Sequence, residues 1–229
     1  MEKEIKELYE KFFIELKINP TTGIVDNTNG QLKFSTFPYI GKNYSIAKRK
    51  ILFVGLDIGK DETKGKIQSL DERNENIACD FGFNPHIAGT YISALYLLKD
   101  TYNWNQVWDK VKKYHTAQQA TKIQQHQTNE NPLDFVALTN FFKFVDVDRE
   151  NRSGDSNRKF INQKNELNLF LDEIRILNPD IILFQGQMPS DSVISQIKKG
   201  KTIYKAPHPS TRKLNGRQPE NYINLFHEI

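Results

Sequence analysis

Two short strings hold side chains that could do chemistry on a polar substrate. The first is Gly55-Leu56-Asp57-Ile58-Gly59, directly after the apolar run Ile51-Leu52-Phe53-Val54. The second is His208-Pro209-Ser210, shortly after Thr202-Ile203-Tyr204. Asp57 would supply a carboxylate and His208 an imidazole. Each string falls where a buried strand should end and a loop begin. Open α/β sheets bind ligands outside the carboxyl ends of their strands, so both side chains would be aimed at one crevice. Taken singly, each string is commonplace: Asp57 reads as a turn or cap residue and His208 as a loop histidine. The glycines do not make a P-loop, because Gly59-Lys60 is followed by Asp61 and the spacing from Gly55 is one residue short.

The elements that must position these strings follow from periodicity. Residues 3–17 read as an amphipathic helix with Ile5, Leu8, Phe12 and Leu16 on one face, ended by Asn19-Pro20. Residues 20–47 hold turn signals such as Asn29-Gly30 and predict an irregular segment with a small hairpin. Residues 50–56 form an apolar run of the kind buried on both faces, and a polar loop is expected over 59–82. A helix is predicted over 88–99, and Trp104, Val107, Trp108 and Val111 give a second helical stripe. The stretch 100–131 is polar and rich in glutamine, and its later half has little to bury, which suggests a surface helix or an insert. Strands are then expected at Asp134–Thr139, Ile181–Phe184 and Lys201–Lys205. A polar loop over 145–159 precedes a helix over 161–177. A short helix is expected over 189–199, with Gly200 after its end, and a last one opens at Pro219. Buried strands alternating with helices predict a single α/β domain over 1–229: three layers, α/β/α, around a central, mostly parallel four-stranded sheet.

Composition narrows the class. The chain has 229 residues, 38% of them hydrophobic, enough for one domain with a real core. No apolar run approaches the ~18 residues of a membrane span, and Met1-Glu2-Lys3-Glu4 opens no signal peptide. The lone Cys79 rules out an internal disulfide framework and a four-cysteine metal or cluster site, and points to a reducing cytoplasm. The net charge of +4 permits an acidic partner without demanding one. The basic residues are grouped: Arg149, Arg152, Arg158 and Lys159 in one polar stretch, and Arg212, Lys213 and Arg217 directly after the His-Pro-Ser string.

In this order and at these strand ends, the two strings resemble those of the uracil-DNA glycosylase superfamily. Its first motif closes the first strand as Gly-Gln-Asp-Pro-Tyr or a relative, and its second begins His-Pro-Ser. Further likenesses lie between: Leu138-Thr139-Asn140-Phe141-Phe142-Lys143 resembles the family's Thr-Asn-x-x-Lys, and Asn151-Arg152 the Asn-Arg that follows it. Ala88-Gly89 opening a helix and a strand from Asp180 to Gly186 also fit, so the resemblance spans about residues 50–229. It implies a monofunctional, cofactor-free and metal-free glycosylase acting on a base flipped out of DNA, with no obligate protein partner and no membrane. Asp57 would work on water and the sugar cation, and His208 would hydrogen-bond the pyrimidine O2. Asn140 would read the base edge, with Leu56 and Gly59 lining the pocket. Phe81, Phe83 and His86 compete to stack on the base. Ser210, Arg212, Lys213, Arg217 and Arg152 would grip phosphates.

The departures bear on substrate. Cluster-ligating cysteines are absent, and Ile58 replaces the usual proline. Gly59 stands where a tyrosine would exclude 5-substituted pyrimidines. The glycine and the 100–131 insert tilt the expectation toward a 5-substituted or hypermodified base, such as a modified cytosine of phage DNA removed in antiviral defence. The alternatives are removal of uracil in base-excision repair and a non-catalytic nucleic-acid binder on the same fold. A metal-dependent nuclease using Asp57, Asp61, Glu62, Asp146, Asp148 and His208 is a further rival, although no ligand spacing organises those residues. A small-molecule nucleosidase is another.

Overall fold

The computed structural model describes residues 1–26, 32–55, 67, 69–79, 84–124, 130–146, 163–186, 188–209 and 218–229. Along the chain these form α1 (Glu2–Leu16), β1 (Leu32–Phe34), β2 (Tyr39–Ile40), β3 (Ile51–Gly55), α2 (Leu70–Cys79) and α3 (Pro85–Leu98). There follow α4 (Asn105–Val111), α5 (Ala117–Gln124), β4 (Val136–Asn140), β5 (Phe144–Asp146) and α6 (Gln163–Leu177). The chain closes with β6 (Ile181–Gln185), α7 (Asp191–Ile197), β7 (Thr202–Ala206), α8 (Pro219–Ile223) and β8 (His227–Glu228). None of the described helices is long and apolar enough to cross a membrane.

The apolar runs build the sheet. Its order is β2-β4-β3-β6-β7-β8; β4, β3, β6 and β7 run parallel, and β2 and β8 are antiparallel edges. The expected α/β class holds, but the sheet is mixed and has six strands rather than four. The extra strands are two residues long each, too short to show a period in sequence. β1 and β5 pair separately in an antiparallel ribbon.

Side chains alternate across a strand, so each central run splits between two cores. Leu52 and Val54 of β3, Ile182 and Phe184 of β6, and Ala137 of β4 join α1, α6 and α7 on one face. Ile51 and Phe53, Ile181 and Leu183, and Val136 and Leu138 join α3, α4 and α8 on the other. Helices thus cover both faces, which is why the central strands read as unbroken apolar runs. The connection after β3 lays α3 on one face, whereas the connection after β6 lays α7 on the other. Since β3 and β6 are neighbours, the gap between their carboxyl ends is a topological switch point, where sheets of this kind open a crevice.

Several boundaries differ from the sequence reading. The expected polar loop over 59–82 contains α2. Its start is a reciprocal capping box: the Ser69 amide donates to the Glu72 carboxylate at 2.7 Å and the Glu72 amide to the Ser69 hydroxyl at 3.2 Å. α3 begins at Pro85, not residue 88, because the Asn84 side chain accepts from the amides of His86 and Ile87 and Pro85 suits the first turn. Asn131 likewise caps a 3-10 turn over Pro132–Phe135, which delays β4 to Val136. Of the described residues of the 100–131 stretch, Trp104, Trp108, Val111 and Ala120 are buried in the core around α3. Of those of 1–49, Ile5, Tyr9, Phe12, Phe34 and Tyr44 lie in the opposite core.

Candidate functional site at the carboxyl edge of the sheet

The four parallel strands end on Asn140, Gly55, Gln185 and Ala206. Gly55 lies opposite Asn140, and Gln185 opposite Ala206; the Val54–Phe184 pairing, carried one residue on, brings Gln185 beside Gly55. These last residues therefore form one row across the sheet. By alternation with Leu138, Phe53 and Leu183, their side chains belong to the face covered by α3. Two amide side chains thus flank a glycine at the switch point. A Cβ on Gly55 would sit 2.7 Å from the Asn140 Oδ1, so a larger residue there would push the Asn140 amide aside.

The first turn of α3 crosses this row. His86 Nε2 lies 3.2 Å from Gln185 Oε1, and Thr90, one helical turn on, lies 3.2 Å from Gln185 Nε2 through its hydroxyl oxygen. Gln185, Thr90 and Asn140 are buried; His86 is partly buried. Beyond β7 the chain turns through Pro207-His208-Pro209. The Tyr222 hydroxyl donates to the Pro207 carbonyl at 3.0 Å, holding the residue before His208. Pro209 is buried and His208 exposed. The His208 ring stacks on His86 with centroids 4.8 Å apart and planes 17° from parallel.

Burial pushes the His86 imidazole down to about 3, aided by His208 and by Arg73 on α2 and opposed by the bond to Gln185. His86 is therefore neutral at any ordinary pH. This edge brings together two amide side chains, the neutral His86 imidazole and the exposed His208.

The approach of the His208 loop depends on a glycine. A Cβ on Gly89 would meet the Pro209 Cβ at 2.5 Å and its Cα at 3.3 Å, and a proline ring has no rotamer by which to retreat. Gly89→Ala is expected to cost about 1–3 kcal/mol of stability by overpacking. Urea unfolding measures this, and an unchanged midpoint would show that the loop yields freely.

Of the residues singled out in the sequence, His86, Asn140 and His208 meet at this edge. His86 has one face covered by His208, so it backs that ring rather than standing as a freely accessible stacking platform. Leu56, Asp57, Gly59, Phe81, Phe83, Arg152, Ser210, Arg212, Lys213 and Arg217 lie outside the described residues. Gln185, Thr90, Tyr222 and Arg73 were not anticipated. A signal existed for two of them: a polar residue closing an apolar strand just before a glycine, and Thr90 at the i+4 position from His86. Among the described residues no group of three or more His, Cys, Asp or Glu could hold a metal ion. No protein-family model matches this chain, and neither a curated protein nor a solved structure is significantly similar to it.

Proposed function

We propose that this chain is a monofunctional DNA glycosylase that hydrolyses the N-glycosidic bond of a flipped-out pyrimidine. The observation that carries the reading is the grouping of Asn140, Gly55, Gln185 and the His86–His208 pair at one switch point, directly after the strand whose loop bears Asp57. The four parallel strand ends span three strand spacings, ~14 Å, room for a nucleotide rather than a duplex. The base must therefore leave its stack to enter.

In this reading the bond between the sugar C1′ and the base nitrogen breaks, and the electron pair leaves with the base. Negative charge collects on its O2, where His208 donates a hydrogen bond. Asp57 steadies the cationic sugar and orients the water that adds to C1′. Asn140 reads the base edge with an amide that both donates and accepts. Ser210, Arg212, Lys213, Arg217 and Arg152 take the flanking phosphates. Because the 100–131 stretch packs against α3, the substrate preference rests on Gly59, which leaves room for a 5-substituent. We favour a 5-substituted or hypermodified cytosine, as in phage DNA attacked by its host. Removal of uracil in repair is the second reading.

The test is base release, without added metal, from DNAs carrying uracil, a thymine mismatch, 5-hydroxymethylcytosine or its glucosylated form. Release from a modified cytosine, lost in Asp57→Asn, is expected. Release from uracil alone would overturn the substrate preference. DNA binding with no release from any substrate would replace the enzyme by a non-catalytic binder.

A further inference from the structure

We propose that Gln185 is a positioning residue of this site: its amide fixes His86, the ring stacked on His208, as the tautomer protonated on Nε2. The inference rests on reading His208 as the group that faces the substrate.

The direction of the bonds follows from the His86 main-chain carbonyl, which can only accept. The Thr90 hydroxyl donates to it at 3.0 Å, the shorter of its two choices, since Gln185 Oε1 lies at 3.3 Å. The Thr90 oxygen is then an acceptor and takes a hydrogen from Gln185 Nε2 at 3.2 Å. That assigns the amide nitrogen to the Thr90 side, and a flipped amide would lose this bond. Gln185 Oε1 must face His86 Nε2, 3.2 Å away, and that nitrogen must carry the proton.

The consequence concerns charge. The His86 ring stacks on His208 from the loop after β7 and bonds neutral Gln185, and the charge of Arg73 on α2 also disfavours a cation there. A second proton on His86 would set a cation against the face of His208 and near a guanidinium. Gln185 spends its only acceptor on the proton already there. His86 stays an uncharged backing to the exposed His208 ring.

Long-range proton–nitrogen correlation spectra of the full chain, labelled in its five histidines, test this directly between pH 4.5 and 8.5. His86→Gln and His208→Gln assign the two signals. The expected wild-type result is a His86 fixed as the neutral Nε2-protonated form throughout. Gln185→Glu supplies a carboxylate to the same proton and should bring the His86 midpoint up into the measured range. Thr90→Val removes the group that orients the amide, and the His86 signal should split between tautomers; this arm decides the matter if Gln185→Glu does not fold. A His86 protonated on Nδ1, a His86 that titrates in the wild type, or a single unmoved tautomer in both variants would overturn the proposal. Base release is scored separately. The expected spectra without release from any DNA would defeat the glycosylase reading alone, and release without the expected spectra would defeat this inference alone.

Discussion

His208→Ala should leave the fold intact and slow base release by about 10²–10³-fold. The fold should survive because the ring is exposed and the loop is held by its neighbours, Pro209 against Gly89 and Pro207 against Tyr222. The rate should fall because a preorganised donor aimed at developing negative charge is typically worth about 3–4 kcal/mol of transition-state stabilisation. His86 cannot stand in for it. Its Nε2 proton is given to Gln185, and its stacking face lies behind the lost ring. Single-turnover release with DNA in excess of its dissociation constant isolates the chemical step, and a urea midpoint measured alongside separates chemistry from stability. A variant that keeps the wild-type rate would remove His208 from the reaction.

The strand ends that frame this site were legible because they obey a local rule. A strand buried on both faces needs an apolar run, and Ile51–Gly55 and Ile181–Gln185 are such runs. The loop histidine was legible from the strand before it, although Thr202–Ala206 is buried only at Ile203 and Ala206 and reads as a strand less plainly. α2 was missed although its signal was present: Ser69 followed by Glu72 is a capping box, obscured by the polar residues of the helix itself. Gln185 was legible only as a polar strand end before a glycine. Its meaning comes from α3, on a segment 99 residues away from it at His86, and no local pattern announces which helix will cross which strand end. The stacking of His86 on His208 is of the same kind. Sequence located both rings near one edge, but only the packing of Gly89 against Pro209 brings α3 close enough for them to touch.

The Thr-Asn-x-x-Lys string divides between chemistry and scaffold, and its lysine carries the largest expected effect on stability. Asn140 closes the end row on the α3 face, while Thr139 and Lys143 turn into the opposite core. There Lys143 is fully buried and donates to Glu173 at 2.7 Å, to the Thr139 hydroxyl at 2.9 Å and to the Tyr9 hydroxyl at 3.2 Å. Tyr9 donates in turn to Glu173, as does Thr139 at 3.0 Å. The cluster ties α1, β4 and α6 together beneath the residue that would read the base. Burial lowers the Lys143 pKa while Glu173 and Glu166 raise it, and burial together with Glu173 drives the Tyr9 phenol well above its usual range. Lys143→Met keeps the length of the side chain and removes the charge, leaving the Glu173 carboxylate buried without its cation. Breaking a buried pair from one side typically costs about 3–5 kcal/mol, a large part of the 5–15 kcal/mol that holds a domain of this kind together. Adding Glu173→Leu removes the second charge and should recover part of the loss, though not all, because the Tyr9 and Thr139 hydroxyls lose their acceptor. Urea unfolding of the single and double variants reads both numbers. A loss under about 1 kcal/mol for Lys143→Met would mean that water reaches Glu173, and the motif lysine would then have to be sought in the chemistry of the site rather than in the scaffold beneath Asn140.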